Sequence, residues 1–133
     1  KIALIHCTEK VNGKTFPLTL DYVELKEMAE KGEFGDCIID GPMDVKTACS
    51  GEAMRIKNMT SPINGDADAL IMPDIEAGNS FYKTITLFAQ ADTAGILRGT
   101  KVPVVLPSRG DDAMSKFFSL ALASWSCAAA EKK

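Results

Sequence analysis

The chain has 133 residues, of which 46% are hydrophobic and 25% charged, and its formal net charge is −3. This composition is ordinary for one compact globular domain. The acidic balance and the lack of a Lys/Arg cluster argue against nucleic-acid binding, and the longest apolar runs are far shorter than a membrane-spanning helix. We therefore expect a cytoplasmic protein whose partners are neither nucleic acid nor membrane.

Apolar runs of strand length alternate with helical patterns along the chain. Strands are expected at Ile2–Cys7, Cys37–Ile39, Ala69–Met72 and Val102–Leu106. Helices are expected from Asp21 to Gly32, across 43–57 with room for an interruption at Ser50-Gly51, from Ile75 to about Ala94, and from Asp111 to Ala129. Strands that alternate with helices predict an α/β fold, with a mostly parallel sheet in an αβα sandwich.

Two local signals refine this pattern. Asp21, with Glu24 three residues later, has the spacing of a capping box at the start of the first helix. Asp40-Gly41-Pro42 predicts a tight exit from the second strand, which would place Asp40 at the carboxyl end of that strand. Ligands of open α/β sheets usually bind at that edge.

The cysteines and the one histidine have plain structural interpretations. The cysteines are widely spaced, lie in apolar surroundings, form no Cys-x-x-Cys pair, and are therefore expected to be small core residues: Cys7, Cys37, Cys49 and Cys127. His6, near the end of the first strand, is expected to be packed and hydrogen-bonded rather than catalytic. No metal site is predicted.

The helix after Pro73 is expected to have an apolar face, on which Phe81, Ile85 and Phe88 fall together with Gly78, Tyr82 and Ala89. The opposite face carries a polar stripe. Glu76, Asn79, Lys83 and Thr86 are spaced three, four and three residues apart, so their side chains share one helix face near the N-terminus. Unpaired N–H groups and the lysine could hold an anion there, although a solvated helix face explains the same spacing. Gly13-Lys14-Thr15 does not make a phosphate loop, because Thr8 stands where that motif needs a glycine.

A second anion site is predicted where the fourth strand meets the last helix. Arg109 can clamp a phosphate with two parallel hydrogen bonds, and Ser108 offers a hydroxyl. Asp111 or Asp112 offers a carboxylate close by in the sequence. The alternative is a serine helix cap followed by helix-stabilising aspartates.

Four segments together carry a resemblance to a known family. In chain order they are Glu9-Lys10-Val11-Asn12, Asp40-Gly41-Pro42, Asp74-Ile75-Glu76-Ala77-Gly78-Asn79-Ser80-Phe81-Tyr82-Lys83, and Pro103-Val104-Val105-Leu106-Pro107-Ser108-Arg109 followed by Lys116 and Ser119-Leu120-Ala121-Leu122-Ala123. In this order they resemble the C-terminal half of the phosphate acetyltransferase and phosphate butyryltransferase family, closer to the butyryl branch. The start of the chain in a strand, without methionine, also suggests a fragment.

The resemblance implies transfer of a short acyl group between coenzyme A and inorganic phosphate, with coenzyme A as a substrate and no permanently bound cofactor. It implies that Arg109 holds the phosphoryl group and that Ser108 donates to the acyl or phosphate oxygen. It also implies substrate binding by residues of the earlier motifs, namely Asp40, Gly41, Pro42, Asp74, Glu76, Asn79 and Lys83.

The resemblance further implies the two-domain αβα architecture of isocitrate and isopropylmalate dehydrogenases, and a homodimer formed through the second domain. Residues 1–99 would form that second domain. Residues 100–133 would supply a strand and helix that return to a first domain whose N-terminal part is absent. The fragment alone is therefore expected to be inactive.

Two positions depart from the family pattern. An acidic residue is often found about one turn after the Ser-Arg pair, but Met114 and Ser115 stand there, so Asp111 becomes the candidate general base. Lys46 occupies a position where butyryl-type members commonly have aspartate, while Asp44 lies two residues earlier.

Two other interpretations compete with the enzyme. The chain could be a non-catalytic dimerisation or anion-binding half, which would leave an apolar surface exposed. Chemistry like that of the related dehydrogenases is less favoured, because the sequence has neither a glycine-rich dinucleotide loop nor an aspartate cluster for a metal.

Overall fold

The computed structural model describes residues 1–130, with side chains through Ala128. The chain divides into two compact units, Lys1–Asn79 and Ser80–Lys133. The predicted division near Gly99 concerns the domains of a longer protein and stays a prediction. Within the described part of the chain, no helix is both long and apolar enough to cross a membrane.

The first unit contains a three-stranded parallel sheet. Its strands are β1 (Ile2–Ile5), β2 (Ile39–Met43) and β3 (Ala69–Ile71), in the spatial order β2-β1-β3. Most of the central strand β1 is buried, as its continuous apolar sequence predicts for a parallel strand. The α/β class and the parallel sheet are therefore confirmed.

The path of β2 differs from the prediction, because the strand runs through Gly41-Pro42 instead of ending there. A Cβ atom on Gly41 would lie 2.6 Å from the carbonyl oxygen of Leu4, so only glycine allows β2 to approach β1 this closely. Proline is tolerated because β2 is an edge strand. Asp40 consequently lies near the start of β2, and its predicted place at the carboxyl end is wrong.

Three helices follow the predicted pattern in the first unit, with one correction. They are α1 (Leu18–Glu30), α2 (Val45–Cys49) and α3 (Gly51–Ile56). The interruption at Ser50 is confirmed, since Ser50 caps α3 through a 3.2 Å bond from the amide of Ala53. The capping box at Asp21 is wrong: α1 begins at Leu18, so Asp21 lies inside the first turn.

The core of the first unit includes alternate residues of β1. The buried cluster consists of Ala3, Ile5, Met43, Ala48 and Ile63. Tyr22 of α1 is also buried and donates a 2.9 Å hydrogen bond to the carbonyl oxygen of Ile5. The helix is thereby tied to the end of the central strand.

The helix α4 (Ile75–Phe88) begins in the first unit and continues into the second. It ends earlier than predicted because Gln90 adopts a left-handed conformation with φ of 50°. The last helix, α5, spans Ala113–Ala130.

The predicted fourth strand is absent from the described residues. Val104 makes one isolated antiparallel bridge, to Leu97, and no sheet forms around it. Pro103 and Pro107 have no amide hydrogen to donate, so the segment offers an incomplete ladder. The apolar composition of 102–106 was therefore a misleading strand signal.

The prediction that the cysteines are core residues is wrong. Cys7, Cys49 and Cys127 are exposed, and Cys37 is half-buried. Cys7 follows the end of β1 and Cys49 ends α2, so both lie beyond the part of their element that packs inward. All four are free thiols.

Candidate active site

A cleft of about 630 Å³ lies within the second unit. It is bordered by α4, by the segment after α4, by the loop before α5 and by the first turn of α5. Among its lining residues are Tyr82, Lys83, Thr93, Ser108, Asp111 and Ser115. Three of the predicted site residues, Lys83, Ser108 and Asp111, are thus brought together.

Asp111 is the polar centre of this cleft. Its Oδ1 accepts a 2.8 Å hydrogen bond from the hydroxyl of Tyr82, and its Oδ2 accepts a 2.8 Å bond from the amide of Ser108. The amide of Asp111 in turn donates to the carbonyl oxygen of Ser108 at 3.1 Å. With only 14% of its side chain exposed, Asp111 fixes the turn that carries the Ser-Arg pair.

Lys83 brings a positive charge to the same place. Its Nζ donates to the hydroxyl oxygen of Ser108 at 3.3 Å and lies 4.0 Å from Oδ1 of Asp111. The same ammonium group lies 4.4 Å from the centre of the Tyr82 ring. Because a lysine, a serine hydroxyl and a carboxylate meet here, the cleft can bind an anion and accept a proton.

Tyr82 is a component that sequence reasoning missed, since its spacing assigned it to the apolar face of α4. The Thr93 hydroxyl, 3.4 Å away, lowers the pKa of the Tyr82 phenol, but burial and the Asp111 carboxylate outweigh it and raise that pKa. The phenol is therefore a protonated donor at neutral pH. No local pattern could reveal this contact, because Tyr82 and Asp111 are 29 residues apart.

Arg109 and Asp112, the other two candidate residues of the segment before α5, have different surroundings. Arg109 is exposed and is not among the residues that line the cleft. Asp112 caps α5 by accepting a 2.7 Å bond from the amide of Ser115, which lowers the pKa of Asp112. The cap of α5 is therefore Asp112 and not the serine of the alternative interpretation, while Asp111 and Ser108 line the cleft.

Asp40, a predicted substrate-binding residue of the first unit, is buried with 7% exposure. One carboxylate oxygen pairs with the ammonium of Lys26, and the other accepts from the hydroxyl of Ser61. Gly41 and Pro42 form part of the sheet. Asp40 is therefore a residue that joins α1 and the loop 61–66 to β2.

The other predicted residues of the first unit lie around the start of α4. Asp74 caps this helix, because its Oδ1 accepts a 2.6 Å bond from the amide of Ala77. Glu76 and Asn79 are exposed in the first turns of the helix.

A separate charged cluster joins three segments of the first unit. The ammonium of Lys57 bridges the carboxylates of Glu9 and Asp44. Burial raises the pKa of Asp44, but hydrogen bonds from Lys57 and Thr47 outweigh it and lower that pKa to about 2. Glu9, from the first family motif, therefore anchors its loop to α2 and α3.

The described residues contain no group of three His, Cys, Asp or Glu side chains that could hold a metal ion. His6 accepts a 3.3 Å bond from the amide of Thr8 and meets the ring of Phe16 edge-on at 5.0 Å. Its interpretation as a packed histidine fits these contacts.

A family model described as phosphate acetyl/butaryl transferase matches residues 1–124. The chain belongs to this family. Its fold also matches a solved structure, a branched-chain phosphotransacylase from Enterococcus faecalis, with a TM-score of 0.78 and 40% sequence identity over 92% of this chain and 44% of that one.

Two curated relatives represent both branches of the family. A phosphate acetyltransferase from Thermotoga maritima is 43% identical over 93% of this chain and 42% of its own length. A phosphate butyryltransferase from Clostridium acetobutylicum is likewise 43% identical, over 93% of this chain and 41% of its own length. The chain therefore spans about two fifths of these relatives, and identity does not favour one branch.

Proposed function

We propose that this chain forms part of an acyltransferase that moves a short acyl group between coenzyme A and inorganic phosphate. The observation that carries the proposal is the meeting of Lys83, Ser108 and Asp111 in one cleft of the second unit. The names of the relatives support the same reaction.

The proposed chemistry uses these groups in defined roles. In the direction that makes acyl-coenzyme A, Asp111 accepts the proton of the coenzyme A thiol. The sulfur forms a bond to the acyl carbon, and phosphate leaves with the electron pair of the broken C–O bond. Ser108 donates to the acyl or phosphate oxygen as it becomes negative, and Arg109 and Lys83 hold the phosphoryl group.

The residues of the first unit keep proposed binding roles of two kinds. Glu76 and Asn79 are exposed and available for direct contact with substrate. Asp40, Gly41, Pro42 and Asp74 contribute through the shape of β2 and the start of α4, because their own contacts are within the protein.

The larger architecture is proposed on the resemblance and on the length of the relatives. The protein would be a cytoplasmic homodimer with the two-domain αβα fold of isocitrate and isopropylmalate dehydrogenases. Residues 1–99 would belong to its second domain, and 100–133 would return to the first. Coenzyme A and the acyl phosphate would be substrates, with no bound cofactor.

The test is phosphate- or arsenate-dependent release of coenzyme A from butyryl- and acetyl-coenzyme A by the full-length protein. Arg109→Ala should raise the KM for phosphate and lower kcat, and Arg109→Lys should recover little, because lysine cannot form the paired hydrogen bonds. Arg55→Ala, which removes an exposed arginine from α3, is the matched control and should behave as wild type. A folded protein without turnover would contradict the proposal.

A second candidate is a non-catalytic association module. It is favoured by the exposure of large apolar side chains along α5, where Phe117 is 59%, Leu120 62% and Trp125 69% exposed. Surfaces of this kind commonly mark an interface. The same assay separates the two, because a module of this kind would self-associate without releasing coenzyme A.

A further inference from the structure

Tyr82 contacts both Asp111 and Lys83 in the cleft. Its hydroxyl donates to Oδ1 of Asp111 at 2.8 Å, and its ring lies 4.4 Å from the ammonium of Lys83. We infer that Tyr82 is a positioning residue with two separable tasks: its hydroxyl orients Asp111, and its ring holds Lys83. This inference rests on the proposed acyl transfer at the same cleft.

The hydroxyl task follows from the bonds at Asp111. Oδ1 is held by Tyr82, and Oδ2 is held by the amide of Ser108, so the carboxylate plane is fixed at both ends. A carboxylate held this way keeps its remaining lone pairs in set directions, as a proton acceptor needs. Through Asp111, the phenol also acts on the turn that carries Ser108.

The donor is well suited to this task. The Tyr82 hydroxyl is flanked on its other side by the Thr93 hydroxyl at 3.4 Å, and Thr93 lies 3.3 Å from the Ser115 hydroxyl. The shorter distance to Asp111, 2.8 Å, and the negative charge of its carboxylate direct the phenolic hydrogen to Oδ1. The raised pKa of the phenol keeps that hydrogen in place at neutral pH.

The ring task follows from the position of Lys83. An ammonium group within about 6 Å of an aromatic ring centre is attracted to the face of the ring. The same ammonium donates to Ser108 at 3.3 Å, while 48% of the Lys83 side chain is exposed. A flexible, partly exposed lysine would sample many positions, and the ring restricts it to the region of the Ser108 hydroxyl.

Two substitutions separate the tasks in the full-length protein. Tyr82→Phe removes the hydroxyl and keeps the ring, so kcat should fall about 10- to 100-fold with the KM for phosphate unchanged. Tyr82→Leu removes both, so it should show the same loss of kcat and, in addition, a several-fold higher KM for phosphate. Thr84→Ala is the control on the same helix, since the Thr84 hydroxyl donates to the carbonyl oxygen of Ser80 within the helix.

The outcomes distinguish this inference from the proposed function. If wild type turns over and Tyr82→Phe matches it in kcat, the hydroxyl task is wrong. If Tyr82→Leu equals Tyr82→Phe in the KM for phosphate, the ring task is wrong. If both variants lose only thermal stability, with unchanged kinetics per folded molecule, Tyr82 has a structural role alone and the inference is overturned.

A readout that needs no turnover covers the case in which wild type is inactive and the proposed function itself fails. The ultraviolet absorbance of the Tyr82 phenol is followed as the pH rises, in wild type and in Asp111→Asn. The spectrum of Tyr82→Phe, with and without Asp111→Asn, is subtracted to isolate the signal of Tyr82. Loss of the carboxylate should lower the pKa of Tyr82, because Asp111 contributes to raising it. An unchanged titration would show that the two groups do not interact and would overturn the inference.

Discussion

The hydroxyl of Tyr82 donates a 2.8 Å hydrogen bond to Oδ1 of Asp111, across 29 residues of sequence. Through this bond, α4 is joined to the turn before α5, and the Ser108 amide on the other carboxylate oxygen completes the link. The loop that carries Ser108 and Arg109 is therefore held by a side chain contact and not by a strand. Both oxygens of the Asp111 carboxylate take part in this link.

Asp111→Asn should damage activity far more than the neighbouring Asp112→Asn. Asparagine replaces one of the two acceptor oxygens by an NH2 group that can only donate, so one of the two bonds to Tyr82 and Ser108 is lost, and the proton acceptor is lost as well. We expect kcat to fall by about 10²- to 10⁴-fold, the usual range for a general base. Steady-state kinetics with acetyl- and butyryl-coenzyme A measure it.

The control for that substitution has a clear physical basis. Asp112 caps α5 through the amide of Ser115, and asparagine caps a helix about as well as aspartate. Asp112→Asn should therefore keep nearly full activity. Equal losses in the two variants would mean that the charge of the segment matters, and not the contacts of Asp111.

Asp40→Asn should destabilise the first unit by about 1–3 kcal/mol. Asparagine can still accept from Ser61, but it leaves Lys26 without its buried ionic partner. Asp40→Ala loses both contacts and should cost more. Guanidinium denaturation measures the free energy of unfolding. The control is Glu9→Gln, which removes one partner of a more exposed ion pair and should stay within about 1 kcal/mol of wild type. A neutral Asp40→Asn would contradict a structural role for Asp40.

Acid should weaken the first unit through Asp44. The pKa of Asp44 is about 2 in the folded protein, below its ordinary value of 3.8, so the unfolded state binds more protons between these values. The stabilisation is thus fully present above about pH 4 and is lost as the pH falls through about 2. Asp44→Asn should flatten the loss of stability across this window while it keeps the cap on Thr47.

The pH prediction is checked by denaturation at several acidic pH values. Asp36→Asn removes one negative charge from an exposed position and serves as the control. It should leave the slope of stability against pH close to that of wild type. A slope that changes equally in both variants would assign the effect to net charge and not to the Lys57 bridge.

Much of the first unit could be predicted from local pattern. The continuous apolar run at Ile2–Ile5 marked the buried central strand, and the Ser50-Gly51 break between α2 and α3 was visible in the residue types. The course of β2 was not, because glycine and proline ordinarily end a strand. Here the close approach of Gly41 to Leu4 overrides that local signal.

The candidate site was only partly predictable. Ser108, Asp111 and Lys83 carry recognisable chemistry within short motifs, so sequence reasoning found them. Tyr82 was assigned to an apolar helix face, because spacing shows which face a residue occupies but not its partner in a distant segment. The exposure of Cys7 and Cys49 was missed for a related reason, since their positions after β1 and at the end of α2 depend on where those elements stop.

Gly41→Ala should destabilise the sheet of the first unit strongly. The added Cβ would lie 2.6 Å from the carbonyl oxygen and 2.7 Å from the Cβ of Leu4, and backbone on the central strand cannot move aside as a flexible side chain can. We expect a loss of about 2–3 kcal/mol, near the upper part of the range for overpacking. Gly95→Ala is the matched control, because nothing lies within 4 Å of its added Cβ, and it should stay within about 0.5 kcal/mol of wild type.

Two measurements check the Gly41 prediction. Guanidinium denaturation gives the free energies of unfolding. Hydrogen exchange at the His6 amide, which donates to the carbonyl oxygen of Met43 at 2.9 Å, reports the β1–β2 pairing directly. Faster exchange at His6 together with lower stability would support the requirement for glycine, whereas unchanged exchange would mean that the two strands have room for a methyl group and that Gly41 serves another purpose.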